Sequence, residues 1–285
     1  MLFMKRIAGI IILVLSTFFL SSQSNVNLAE ELLYHGDAMI NTLEPTSRIR
    51  AAAQFDKYFR MYLDDKTQVT DTEFLKFTKH LVAPDEKFTL ITWQVQRDSF
   101  QYDFSGYLIT SEDKIFELKR TGKLDPEAAY QTSTNEDWYG CLYYSIKKLE
   151  NNKYLLFGKD PSSQYDNQKL IDPITINENE IVFGHPIIED KESLGTFLNR
   201  LVISYSSDAS VNLNYNKGLD VIIQDHLEAR IGLQAGQGAT YVPDGTYEGY
   251  YLEDGKWLYK EKLYDHVYED APRPKPVFNS DTKQK

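Results

Sequence analysis

The feature that most constrains this chain is an alternation of apolar and polar residues that begins after Pro84 and runs to about residue 263. A period of two places successive side chains on opposite faces of an extended strand. The alternating segments are rich in Tyr, Phe, Val and Ile and are separated by turn residues. Strands are therefore predicted near 88–96, 100–110, 114–119, 139–148, 153–158, 169–176, 180–185, 199–206, 210–216, 219–225, 246–252 and 256–263.

The links between these segments decide how the strands pair. Asn151-Asn152 and Asp254-Gly255 suit two-residue type I′ turns, and such short links make neighbouring strands antiparallel. The links lack the helices that a parallel sheet requires. We therefore predict a mainly β domain over 84–268, an antiparallel meander that forms a sandwich or an open barrel. A small β-propeller is the alternative, because the predicted hairpins follow one another at weakly similar spacings. Residues 120–137 and 226–245 are predicted to be long connections.

The segment before the strands has a helical period. Residues 25–83 are predicted to form a small helical head, in which Pro45 ends a first helix and Thr46 or Ser47 caps a second. Thr70 and Glu73 match a capping box, which predicts a short third helix that extends to Leu81.

The N-terminus predicts export. Lys5 and Arg6 precede an apolar run over 7–20, which is shorter than the roughly 20 residues of a membrane-spanning helix, and the small-residue triplet 22–24 follows it. Residues 1–24 are therefore predicted to be a signal peptide cleaved after Ser24, with a retained membrane anchor as the alternative. Residues 269–285 are polar and proline-bearing, and they are predicted to form a disordered tail.

The net charge limits the classes of partner, and the cysteine content limits how the domain can be stabilised. The chain has 42 acidic and 31 basic residues, and loss of residues 1–24 would remove two basic residues and no acidic one. So acidic a protein is not expected to bind nucleic acid, or to contact a membrane except through an uncleaved signal segment. The single cysteine, Cys141, lies in an aromatic run and is expected to be buried, so the exported domain would be held by its core alone.

His226 is the strongest candidate for a catalytic residue in the sequence. It follows Asp225 at a predicted strand end, but neighbours on an extended chain point to opposite faces and cannot form a dyad there. His226 could instead be oriented by another carboxylate and activate Ser204, Ser206 or Ser210. A hydrogen-bonding His at a strand end is the competing interpretation. No nucleophile-elbow motif is present.

Metal sites have weak support. The five histidines lack zinc-ligand spacing, so no metal ligand is assigned. Calcium is the one cofactor considered, because carboxylates lie near predicted strand ends, although turn and cap roles are the favoured explanation of such residues. These carboxylates are Asp220, Asp225, Asp244, Glu248 and Asp254.

The last predicted hairpin is crowded with aromatic residues. Because Tyr247 and Tyr251 face opposite to Tyr250, one set is expected in the core and the other on the surface. The candidate binding residues are Tyr250, Trp257 and Tyr259, as a stacking platform for a sugar or peptide. The competing interpretation places these rings in the core.

Several strings occur in an order that resembles a family of uncharacterised exported bacterial proteins with a helical N-terminus and a β-rich remainder. The strings are Ile91–Val95, Trp138–Tyr144, Leu155–Gly158, Lys169–Asp172, Val182–Pro186, Asp225–Leu227 and Tyr241–Gly245. Lys159 stands where similar proteins would have Trp. The resemblance implies an envelope or secreted location and carries no activity.

These observations favour an exported cell-envelope protein, in the periplasm or outside the cell, that acts as a non-enzymatic binding or scaffold module. Its expected partner is an envelope protein or a glycan. The alternatives are a secreted hydrolase that uses His226 and, if the sheet closes into a barrel, a carrier of small ligands.

Overall fold

The protein was analysed as a computed structural model that describes residues 27–264, except 123, 151 and 162. The predicted signal peptide and the predicted tail lie outside these described residues. Within them, a short helical region precedes three stacked sheets.

Two helices open the described chain. Helix α1 (Leu28–Asn41) is capped by the Asn27 side chain, and helix α2 (Pro45–Asp64) begins at its proline. The Glu44 carboxylate accepts hydrogen bonds from the backbone N–H groups of Thr46 at 3.0 Å and Ser47 at 2.6 Å. The prediction of Thr46 or Ser47 as the cap is therefore wrong. Proline needs no hydrogen-bond partner in a first turn, so α2 starts earlier than predicted.

The predicted third helix is replaced by a 3₁₀ turn and a strand. The turn covers Glu73–Phe77, and its first N–H bonds to Asp71 Oδ1 at 2.9 Å, not to Thr70. Strand β1 (Lys79–Val82) follows and pairs with β2. The local helical pattern is overridden because these residues complete a sheet edge, so the first sheet starts before residue 84.

The remaining strands agree closely with the alternation in the sequence. Each predicted strand overlaps an observed one, and the strands absent from the prediction are short. The strands after β1 are β2 Phe88–Gln96, β3 Tyr102–Thr110, β4 Ile115–Leu118, β5 Ser133–Thr134, β6 Leu142–Lys148, β7 Lys153–Asp160, β8 Asp166–Ile176, β9 Ile181–Phe183, β10 Ile188–Glu189, β11 Phe197–Leu198, β12 Leu201–Ser206, β13 Leu213–Asn216, β14 Val221–Ile231, β15 Ala239–Glu253 and β16 Lys256–Lys260.

The strands form three sheets. The first has the order β1-β2-β3-β4, the middle sheet has the order β5-β9-β8-β7-β6 with β12 also on β8, and the third has the order β11-β10-β16-β15-β14-β13. The named strands pair antiparallel except β10 and β16, where Ile188 lies opposite Trp257, and an isolated parallel bridge also joins Arg120 to Trp138. The predicted mainly β, antiparallel sandwich is confirmed. The described strands do not close into a barrel.

Both predicted long connections contain regular structure. Strands β14 and β15 continue their ladder from Leu227 opposite Pro243 to Ile231 opposite Ala239, so most of 226–245 is a long hairpin with its turn at 232–238. The first connection holds strand β5 and two 3₁₀ turns, Pro126–Tyr130 and Asn135–Asp137.

Three hydrophobic clusters stack the layers. The helices cover one face of the first sheet, where Phe55 and Phe59 pack on Trp93. The other face of that sheet packs on the middle sheet through residues such as Phe88 and Tyr154, whose ring centroids are 4.8 Å apart. The opposite face of the middle sheet packs on the third sheet. The third sheet is thus the outermost layer on its side.

Candidate functional site

His226 lies at an irregularity in the β14–β15 ladder, where the register shifts between Asp225 and Leu227. On the facing strand Gly245 has φ +91°, which glycine adopts without steric cost. Asp244 Oδ1 accepts the Thr246 N–H at 2.8 Å, and its other oxygen lies 2.8 Å from His226 Nδ1. The bulge therefore supplies the orienting carboxylate that sequence reasoning required, from the opposite strand.

The second neighbour of His226 is a buried carboxylate. Glu248 has no exposed surface, and its Oε2 lies 3.9 Å from His226 Nε2. It accepts hydrogen bonds from Lys191 Nζ at 3.0 Å, from the Tyr259 hydroxyl at 2.7 Å and from Gln224 Nε2. A cation and two further donors satisfy this buried charge, which is the condition for burying one.

Asp244 and Glu248 can orient the His226 imidazole, but the contacts described for His226 include no nucleophile. Both ring nitrogens of His226 face carboxylates. Of the predicted serines, Ser204 Oγ accepts a hydrogen bond from Gln168 at 3.3 Å, and none of the hydrogen bonds described for these serines reaches His226. The Thr246 N–H, more than His226 itself, holds the pKa of Asp244 below its usual value.

The predicted calcium ligands have separate roles. Asp220 and Asp254 occupy turns with φ of +53° and +47°, and Asp225 accepts the Asn212 N–H at 2.7 Å. Asp244 and Glu248 bind the partners described above. Among the residues that the structure describes, no group of three or more His, Cys, Asp or Glu side chains is placed to hold a metal ion.

The three predicted binding rings lie mainly inside the protein. Tyr250 and Trp257 are fully buried between the third and middle sheets, and Tyr259 is partly buried. Burial raises the pKa of Tyr250 and Tyr259 above their ordinary values. The expectation of a surface platform at Tyr250 and Trp257 is corrected, because this side of the hairpin faces the core.

The opposite side of the same hairpin carries the exposed rings. Tyr247 is 44% and Tyr251 is 38% exposed, and Tyr264 meets Tyr247 edge to face with centroids 5.9 Å apart. A groove of about 710 Å³ lies beside them. We call this surface the tyrosine face; it comprises Tyr247 and the groove residues Leu219, Val221, Tyr251, Lys260, Leu263 and Tyr264. Tyr259 also borders the groove, although its ring lies beside Tyr250 on the core side.

A polar cleft of about 570 Å³ lies between the first and middle sheets. Four of its five charged lining residues are paired, since Arg97 lies 2.8 Å from Asp103 and Arg120 lies 3.9 Å from the buried Asp160, and the fifth, Asp166, accepts a hydrogen bond from Thr240 at 2.6 Å. Arg120 also donates to the Tyr139 carbonyl at 3.1 Å. The cleft therefore presents little unpaired charge to a ligand.

Sequence reasoning missed a buried ion pair in the interior. Arg200 Nε donates to Asp172 Oδ1 at 2.8 Å, and the Tyr143 hydroxyl donates to Asp172 Oδ2 at 2.8 Å. A single arginine in a strand pattern ordinarily indicates an exposed position, so no sequence feature pointed to this pair. Cys141 lies in the same core, where burial raises its pKa well above the ordinary value.

Comparison with known proteins assigns no family. No family model matches the chain, and neither a curated protein nor a solved structure matches it. The resemblance to uncharacterised exported proteins therefore stays a prediction. Within the described range, no helix has the length and apolar character needed to cross a membrane.

Proposed function

We propose that this chain is an exported, non-enzymatic binding module of the cell envelope whose tyrosine face contacts a partner protein. Export is inferred from the predicted signal peptide over 1–24. The observation that carries the binding proposal is the row of exposed rings on the outermost sheet, opposite the side that packs on the core.

The tyrosine face groups several exposed large side chains beside one groove. Tyr247, Tyr251 and Leu219 keep 44%, 38% and 55% of their surface exposed within one region. Large contiguous apolar patches on soluble proteins commonly mark interaction sites. Tyrosine is also enriched at protein interfaces, because it supplies a large contact area together with a hydrogen-bonding hydroxyl.

The lining of the groove favours a protein partner over a glycan. Leu219, Val221 and Leu263 present aliphatic side chains between the rings, and Lys260 is the lining residue that carries a charge. Apolar side chains of a partner would bury against such a surface and gain the hydrophobic free energy of desolvation. A sugar would need more hydrogen-bonding side chains around the rings to replace its bound water.

The test uses the double variant Tyr247→Ala/Tyr251→Ala in the secreted chain. Tyr34→Ala on α1 is the matched control, because Tyr34 is 69% exposed and far from this face in the fold. Each protein would be used to capture partners from envelope extract, and the captured protein would then be purified and titrated against all three. Alanine variants of Tyr250 and Trp257 are unsuitable, since both rings are buried in the core.

We expect the double variant to bind the purified partner at least about tenfold more weakly, while Tyr34→Ala binds like the wild type. Equal affinity of the double variant and the wild type would exclude the tyrosine face. If added oligosaccharide abolishes the capture from envelope extract and no protein partner is captured, the ligand would be a glycan instead. Sequencing of the secreted protein should give Asn25 as its first residue, and retention of Met1 would contradict export by cleavage.

The second candidate is a hydrolase, because His226 Nδ1 lies 2.8 Å from Asp244 Oδ2 as in an oriented general base. Its test is the hydrolysis of a panel of activated esters by the wild type and by His226→Ala. Activity that disappears in His226→Ala would favour the hydrolase over the binding module.

A further inference from the structure

A basic pocket of about 440 Å³ lies at the junction of the middle and third sheets. Its lining includes three lysines and one histidine against a single carboxylate, that of Glu150. The other lining residues are Leu149, Ile187, Leu252 and Gly255, and the basic ones are Lys147, Lys148, Lys153 and His185. Because carboxylates outside the lining lie close to two of these lysines, the uncompensated positive charge of the pocket is that of Lys153.

The lysines differ in how their charges are compensated. Lys148 lies 3.0 Å from Asp85, and Lys147 lies 3.4 Å from Asp220. Lys153 has no ion pair with a carboxylate among the described residues; its Nζ instead donates to His185 Nε2 at 2.9 Å. The pocket therefore holds an ammonium group whose hydrogen-bond partner is a neutral imidazole.

The surroundings of His185 keep that imidazole neutral. Burial lowers the pKa of His185 below its ordinary value, and the charges of Lys153 and then Lys256 lower it further. Lys256 donates to the Pro186 carbonyl and lies over the Phe197 ring, and within the described part of the chain it forms no ion pair with a carboxylate. An anion near these groups would be attracted by both lysines and would favour protonation of His185.

From this arrangement we propose that the pocket lined by Lys147, Lys148, Lys153 and His185 binds a phosphate group. Lysine contributes a compact point charge with three donors, whereas a carboxylate ligand is matched best by the planar fork of arginine, which the lining lacks. Lys153 would be the main donor to the phosphate, because Lys147 and Lys148 point to opposite faces of β6 and are held by Asp220 and Asp85. The apolar side chains of Leu149, Ile187 and Leu252 leave room for the group that carries the phosphate. This site is separate from the tyrosine face and does not depend on it.

The titration of His185 reports binding directly. The groups that face it are the cations of Lys153 and Lys256, and the further charges lining its pocket belong to Lys147, Lys148 and Glu150. A bound phosphate adds negative charge to this mainly positive set, so the pKa of His185 should rise when the ligand binds. A site occupied only by water would leave the pKa unchanged.

The experiment follows the His185 ring resonances by NMR across a pH series, with and without inorganic phosphate up to about 10 mM, at constant ionic strength. Lys153→Ala should weaken phosphate binding about tenfold, and Lys153→Arg should restore most of it because the charge is kept. Lys217→Ala is the matched control, since Lys217 lies in an exposed turn. Chloride at the same ionic strength controls for general screening.

The outcomes decide the proposal. A rise in the His185 pKa with phosphate that is lost in Lys153→Ala and kept in Lys217→Ala supports the site. No rise at about 10 mM phosphate, or an equal rise in Lys153→Ala, overturns it. Repeating the titration with glycerol phosphate and with vesicles that contain phosphatidic acid would show whether the phosphate comes from a soluble ester or a lipid headgroup.

Discussion

Loss of Arg200 should destabilise the protein strongly, because it would leave a charge buried in the core. The Arg200 and Asp172 side chains are 0% and 2% exposed, and Arg200 also donates to the Ala128 carbonyl at 2.9 Å. In Arg200→Met the Asp172 carboxylate would keep only the hydrogen bond from Tyr143. Breaking a buried pair by removing one partner costs about 3–5 kcal/mol.

That cost can be converted to a melting temperature. In a domain of this size, 1 kcal/mol lowers Tm by about 2–4 °C, so Arg200→Met should melt roughly 6–20 °C below the wild type. In Arg200→Met/Asp172→Asn the charge is removed and the Asn carbonyl can still accept from Tyr143. This double variant should recover at least about half of the lost free energy of unfolding.

The assay is urea unfolding followed by tryptophan fluorescence, because the buried Trp138 donates to Tyr143 at 3.1 Å and reports on this core. Arg97→Met is the matched control. The Arg97–Asp103 pair is 54% and 37% exposed, and its loss should cost at most about 1 kcal/mol. The reasoning is refuted if Arg200→Met unfolds within about 1 kcal/mol of the wild type, or if the double variant is no more stable than Arg200→Met.

Three further predictions concern single side chains. Cys141 should not react with a thiol reagent in the native state at pH 8 and should react in urea, because burial raises its pKa; rapid native labelling would contradict this. Tyr250→Phe should cost less than about 1 kcal/mol in urea unfolding, since its buried hydroxyl has no described partner, whereas Tyr143→Phe should cost about 1–3 kcal/mol because Asp172 loses a donor. Hydrogen bonds from Thr46 and Ser47 lower the pKa of Glu44 from 4.5 to about 2, so the cap stabilises α2 above pH 4.5 and is lost as the pH falls towards 2. Glu44→Gln should remove this part of the acid dependence of unfolding, and parallel pH profiles of the two proteins would show that the cap contributes nothing.

Prediction from the sequence succeeded where the determining interactions are local. Strand β2 was predicted with its observed bounds, because its alternation and the flanking turn residues are properties of a short segment. Strands β10 and β11 gave no comparable pattern. Each has two residues, and β10 is held by parallel pairing of Ile188 with the distant Trp257. The segment after Phe77 shows the reverse case, in which a helical period yielded to pairing at a sheet edge.

For the candidate site, too, the sequence indicated what depends on local residues and missed what depends on tertiary contacts. The sequence identified His226 as a residue that needs an orienting carboxylate, but not which one, because the facing residue depends on the bulge in the β14–β15 ladder. The basic pocket was not foreseen either. Lys153 begins β7 and His185 follows β9, and their nitrogens come within 2.9 Å because both strands pair with β8 in the folded middle sheet.

By itself the sequence determined that this chain is mainly antiparallel β, because the period of its side chains and the chemistry of its turns act within each hairpin. It also determined that Tyr250 and Tyr251 lie on opposite faces of one strand. Only the tertiary structure decided which face is buried. Tyr250 is in the core and Tyr251 on the surface because the third sheet packs on the middle sheet with one side, and alternation alone does not distinguish the two sides.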